Sequence, residues 1–139
     1  MPKKPKAIVL DSWAVIAYLE DERAAEKVAD IIADAHEQEI QLLMSVVNAG
    51  EVWYIVARET SPADADASIK QLRDLGIEFV DADWDLAKGA GYFKSKNKMS
   101  FADCFAAALA RQRKAHLATG DPEFKQVEQE ITVNWVTKT

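Results

Sequence analysis

Apolar and polar positions follow two rhythms along this chain. Short apolar runs rich in β-branched residues, at 6–10, 40–44, 77–80, 116–119 and 132–136, predict buried strands. The stretches between them carry helical spacing, predicting helices over 12–20, 21–37, 46–58, 62–75, 83–94 and 100–114. The second of these shows it best, with Ala24, Ala25, Val28, Ile31, Ile32 and Ala35 on one stripe. Punctuation agrees with the pattern. Ser61-Pro62 offers an N-cap followed by a first-turn proline, Gly76 supplies a stop, and Asp121-Pro122 opens a short further helix. Lys94, Lys96 and Lys98 read as a basic polar loop running to Met99.

Strands alternating with helices predict an α/β fold, with a mostly parallel sheet of about five strands flanked by helices on both faces. Repeats, linkers and low-complexity tracts are absent, so residues 1–139 read as a single domain. In such sheets ligands bind beyond the carboxyl ends of the strands.

Composition narrows the class. An apolar fraction of 49% supports a real core and excludes disorder. No apolar run approaches the roughly 18 residues of a membrane span. The basic start up to Lys6 is not followed by a clean small-residue cleavage site, so a signal peptide is not expected. A lone cysteine, Cys104, allows no internal disulfide, and a cytoplasmic location is the simple reading. The net charge of −6, from 17 basic and 23 acidic residues, argues against a general nucleic-acid coat. It leaves room for an enzyme whose clustered carboxylates hold cations, because bound metal reverses the local field.

The acids that matter are Asp11, Glu51, Asp103 and Asp121. Asp11 follows the first strand and Asp121 the fourth, which places both at the same edge of a parallel sheet. Asp103 falls in the first turn of the helix leading into the fourth strand. Each aspartate also reads as part of a helix cap: Asp11 before 12–20, Ser100 with Asp103 as a capping box, and Asp121 before Pro122. Glu51 reads differently. It lies inside an apolar helix, and a buried, unpaired carboxylate calls for a cationic partner.

These motifs, in this order and over nearly the whole chain, resemble the PIN-domain ribonucleases, and most closely the VapC-type toxins of type II toxin–antitoxin systems. Asp11 matches the family's first acid, and Asn48-Ala49-Gly50-Glu51 its Asn-x-x-Glu helix motif. Asp103, with the alanine-rich helix after it, matches the third acid. Thr119-Gly120-Asp121 matches the Thr-x-Asp segment, with Glu123 the nearest candidate for the second acid many relatives carry beside the fourth.

The resemblance implies a PIN-like three-layer sandwich. It also implies endonucleolytic cleavage of RNA by metal-activated water, leaving 5′-phosphate and 3′-hydroxyl ends. Mg²⁺, with Mn²⁺ able to substitute, would be held by Asp11, Glu51, Asp103 and Asp121, with Asp11 and Asp103 foremost as direct ligands. Ser12 and Thr119 would support that shell, and Asn48 would orient Glu51. Lys94, Lys96 and Lys98 are candidates for contacts to RNA phosphates, against the plain alternative of a solvated loop. Implied partners are an RNA substrate, a cognate antitoxin and a second copy of the chain. The alternatives are a PIN-like scaffold that binds without cutting and a receiver-like phosphoacceptor module.

Other signals carry less. Asp81-Ala82-Asp83-Trp84-Asp85 lacks the glycine of an EF-hand and reads as a strand end and helix cap. Cys104 reads as core. Trp13, Trp53, Trp84 and Trp135 fit core or interface packing better than base stacking, and for Trp13, Trp53 and Tyr54 core packing is the better expectation.

Overall fold

A computed structural model describes residues 4–137. Of the basic N-terminal residues, Lys3 lies outside that range, and the Lys4 Nζ donates to the Gln38 carbonyl at 2.9 Å. The strands are β1 (Ala7–Leu10), β2 (Gln41–Ser45), β3 (Ile77–Val80), β4 (His116–Thr119) and β5 (Thr132–Trp135). They pair in parallel in the order β3-β2-β1-β4-β5. The helices are α1 (Ser12–Leu19), α2 (Ala25–Glu37), α3 (Val46–Glu59), α4 (Pro62–Asp74), α5 (Trp84–Lys96) and α6 (Phe101–Arg113), with a 3₁₀ helix at Pro122–Val127. This is the expected three-layer α/β arrangement.

The period of two in β1 sends its residues to opposite faces. Val9, with Leu43 and Leu117, packs under α5 and α6 against Phe93, Phe105 and Leu109. Ile8 and Leu10, with Leu42, Met44 and Ala118, pack under the other helices against Val15, Val28 and Leu72. Helix α6 is buried at every position from Asp103 to Ala110, which its run of alanines permits. A Cβ on Gly89 of α5 would stand 3.2 Å from the Ala108 Cβ, so these two helices approach closely.

Two element boundaries differ from expectation by more than a residue. The helix read over 21–37 begins at Ala25, because Asp21 takes a left-handed φ of 52° and turns the chain between α1 and α2. Helix α5 runs on to Lys96, so Lys94 and Lys96 sit in its last turn rather than in a loop. Basic side chains there face the negative end of the helix dipole.

The strand order sets the position of the site. From β1 the chain moves outward through β2 and β3, then returns to the other flank of β1 to lay down β4 and β5. The gap beyond the carboxyl ends of β1 and β4 is therefore the topological switch point, where an open parallel sheet leaves a crevice. Register pairs Leu10 with Ala118, which brings Asp11 level with Thr119.

Candidate metal centre

Asp11 leaves β1 directly into that crevice and is fully buried. Its Oδ1 accepts from the Ala14 backbone N–H at 2.9 Å, capping α1. Its Oδ2 accepts from the Thr119 hydroxyl at 2.5 Å. The Thr119 Oγ1 in turn accepts from the Asp121 backbone N–H at 3.0 Å. One buried hydroxyl thus locks the end of β1 to the segment after β4. Asp121 also caps, its Oδ1 accepting from the Glu123 N–H at 2.9 Å. For Asp121 the cap uses one oxygen and leaves the other to the cleft that the residue lines; Asp11 has both oxygens engaged and sits beneath the cleft rather than on its lining, and the acids that converge are Asp103, Asp121 and Glu123.

Asp103 enters from the start of α6. The Ser100 hydroxyl accepts from the Asp103 N–H at 3.1 Å, as a capping box would have it. The reciprocal half is supplied from elsewhere: the Ser100 N–H donates to the Glu123 Oε2 at 3.3 Å. Glu123 thus takes the acceptor role that the capping-box reading gave to Asp103. Carboxylate oxygens of Asp103, Asp121 and Glu123 lie within 4.8 Å of one another. Glu51 faces the same open cleft of about 410 Å³, which Ser12, Trp13, Ile16 and Ile55 also line. It is half-buried rather than sealed in the core, so its cost of burial is smaller than the apolar helix suggested.

Electrostatics bear out the crowding. Burial pushes the Asp11 carboxyl up to about 7, offset in part by its hydrogen bonds from Thr119 and Ala14, with repulsion from Asp121 and Glu51 adding to the rise. Burial, then the charge and hydrogen bonding of Asp121, then Glu123, push Asp103 up to about 8. Carboxylates this close resist simultaneous ionisation, and a cation among them removes the penalty. An all-oxygen, carboxylate-rich set suits a hard divalent ion such as Mg²⁺ or Mn²⁺. The residues present fit such an ion.

The remaining expected residues divide. Ser12 donates to the Asn48 carbonyl at 3.1 Å, tying α1 to α3 beside the cleft. Asn48 makes no hydrogen bond to Glu51 among the described residues; its Nδ2 donates to the Ala102 carbonyl at 3.0 Å and so joins α3 to α6, while its buried Oδ1 has no partner among the described residues. Lys94, Lys96 and Lys98 do not line the cleft. Lys94 Nζ donates to the Met99 carbonyl at 2.6 Å, Lys96 Nζ lies 4.6 Å from the Tyr92 ring centre, and the Lys98 backbone is held by Gln126. Cys104 is core, and burial raises its thiol. Asp83 caps α5, as its setting implied.

Three residues of the cleft were given too little weight by sequence reasoning or passed over by it. Glu123 had only its nearness to Asp121 to mark it. Glu22 lines the cleft because the Asp21 turn folds it back, which no local pattern announces. Trp13 lies partly against the core but also faces the cleft, whereas Trp53, Tyr54 and Trp84 are exposed rather than core.

The PIN domain family model matches residues 8–130, and the chain belongs to that family. No curated protein matches it. Among solved structures it is similar to VapBC2 from Rickettsia felis bound to a promoter DNA fragment, at 13% identity, 92% of this chain, 97% of that one and a TM-score of 0.72. It is similar to the sarcin–ricin-loop-cleaving toxin VapC20 of Mycobacterium tuberculosis, at 15% identity, 87% and 95% coverage and a TM-score of 0.69. VapBC-1 from nontypeable Haemophilus influenzae aligns at 19% identity, 95% and 99% coverage and a TM-score of 0.71. Identities this low speak for the fold; the site must carry the function. Among the described residues no helix is long and apolar enough to cross a membrane.

Proposed function

We propose that this chain is a Mg²⁺-dependent endoribonuclease and the toxin of a toxin–antitoxin pair. The observation that carries the reading is the convergence of Asp103, Asp121 and Glu123 with Asp11 and Glu51 at the switch point of the sheet. Asp103, Asp121 and Glu123 supply the closest oxygens for the ion, and Asp11 and Glu51 complete its negative surroundings. A divalent ion held there would supply Lewis-acid polarisation of a phosphate oxygen and would lower the pKa of a water enough to provide a hydroxide nucleophile near neutral pH.

The protein's own work is positional. Thr119 holds Asp11 and the Asp121 backbone in one arrangement, and Ser12 and Asn48 clamp α3 to α1 and α6. Without the ion, burial and mutual repulsion hold Asp103 and Asp11 toward their protonated forms; the ion's charge would favour the carboxylates, so its binding would release protons. The 3′-oxygen leaves, giving 5′-phosphate and 3′-hydroxyl ends. Lys94, Lys96 and Lys98, exposed at the end of α5 and beyond it, are available to phosphates at a distance from the cleft.

The chain is also similar to a toxin–antitoxin complex from Klebsiella pneumoniae and to a member of the VapBC family of toxin–antitoxin systems from Mycobacterium tuberculosis, which supports a cognate antitoxin here; a cationic side chain entering the acidic cleft would suit that role. The exposed Trp53, Tyr54 and Trp84 offer apolar surface for that partner or a second copy of the chain. The match over 8–130 supports one PIN domain as the working unit and sets aside a receiver-like phosphoacceptor.

The test is direct. Purified protein with Mg²⁺ or Mn²⁺ is expected to cut RNA internally, and the Asp11→Ala/Asp103→Ala double variant is expected to lose that activity while keeping its fold. Undiminished cutting by the double variant would overturn the reading; RNA binding without cutting by the native chain would favour a scaffold.

A further inference from the structure

We propose that Trp13 is the platform on which an unpaired nucleobase of the substrate stacks, beside the phosphate bound at the acids. The inference rests on the ribonuclease reading and names the substrate feature that the cleft selects.

Trp13 stands two residues after Asp11, in the first turn of α1. It is half-buried, packed partly against the core, and lines the cleft. Its position is set by contact rather than by chance. A Cβ built on Gly120 would meet the six-membered ring of the indole at 2.3, 2.4 and 2.7 Å. The ring thus lies on the Gly120 backbone, immediately before Asp121, and only glycine leaves room for it.

The cleft is lined by two kinds of surface. Asp103, Asp121 and Glu123 bring their carboxylates together as a carboxylate wall, Trp13, Ile16 and Ile55 contribute apolar surface, and Glu22 and Glu51 also line it. The carboxylate wall, once loaded with a cation, takes phosphate. Flat apolar surface next to it offers nothing to a phosphate and suits the face of a base. The indole N–H adds a donor at the edge of this platform: among the described residues it has no protein acceptor, whereas Trp53 donates to Asp66 and Trp135 to Glu128. Stacking on an aromatic side chain requires a base freed from its helix, which is how single-stranded RNA is commonly recognised. The cut is accordingly expected at an unpaired nucleotide.

The experiment uses a short single-stranded RNA in which 2-aminopurine, or an abasic residue, occupies each position flanking the mapped cut. Bound to the Asp103→Asn variant with Mg²⁺, the probe is expected to be quenched at one flanking position. Adding Trp13→Ala should abolish the quench and weaken binding about 10-fold, while Trp13→Phe keeps most of both. In cleavage by the native chain, the abasic residue at that position should raise KM by about 10-fold, with little further loss when it is combined with Trp13→Ala.

Equal handling of the base and the abasic residue by the native protein, which needs no variant to fold, would overturn the proposal even if RNA is cut normally. If the native chain leaves the RNA uncut, the probe is placed at every position in turn, and a quench that needs Trp13 would uphold the stacking and overturn the ribonuclease reading instead.

Discussion

Asp11→Asn gives the sharpest test of the electrostatics. Asp11 is fully buried, and its carboxyl is held near 7 against an ordinary 3.8. Between those values the folded chain keeps a proton that the unfolded chain has released. Stability therefore falls as pH rises from about 4 to about 7, and the whole penalty is present above that. At about 1.4 kcal/mol per unit, the rise corresponds to about 4 kcal/mol lost by the cation-free protein at pH 8.

Asparagine has the same shape without the charge. Its Oδ1 can still accept from the Ala14 N–H, and its Nδ2 can donate to the Thr119 hydroxyl, which then gives up its own acceptor at about 1 kcal/mol. The net expectation is a variant about 3 kcal/mol more stable than the native chain at pH 8 in EDTA. For a chain of this size that is a rise of about 9 °C in Tm. Below pH 4, where both side chains are neutral, the advantage should vanish or reverse. Excess Mg²⁺ or Mn²⁺ should stabilise the native protein at pH 8 more than the variant, and RNA cutting by the variant should be lost. Thermal melts at pH 4 and pH 8, with EDTA and with Mn²⁺, read all of this. A variant that melts at or below the native chain at pH 8 in EDTA would refute the claim that Asp11 is a destabilising charge awaiting a cation.

The hydroxyl lock predicts that Thr119→Val costs about 3 kcal/mol in urea unfolding, because it strands both the Asp11 Oδ2 and the Asp121 N–H; a loss under 1 kcal/mol would leave the lock without force. Gly120→Ala should destabilise by about 2 kcal/mol through its collision with Trp13, and Trp13→Ala should recover part of that loss, so additive losses would argue against the contact. Glu123→Gln should weaken Mn²⁺ binding in calorimetric titration by about 10-fold or more while leaving the helical circular dichroism intact; unchanged affinity would remove Glu123 from the metal set.

The sequence alone was enough for the alternation of strand and helix, the caps and the acids at one sheet edge, because each follows from local physics. Val9 and Leu10 had to face opposite layers, Ser61-Pro62 had to open a helix, and Asp11 had to stand where β1 stops. A parallel sheet then brings strand ends together whatever their separation in the chain, so Asp11 and Asp121 could be placed before any coordinates.

What lies across from a residue is a different matter, and only tertiary structure decided it. Glu123 takes the Ser100 N–H from another element, and Gly120 makes room for an indole from the opposite end of the chain. Asn48 bonds to Ala102 rather than turning toward Glu51, and Lys94 and Lys96 end a helix that the pattern had stopped too early. Periodicity reports which face of an element a side chain occupies. It carries no record of the neighbour that face will meet, and for Trp13 that neighbour is both a glycine and an open cleft.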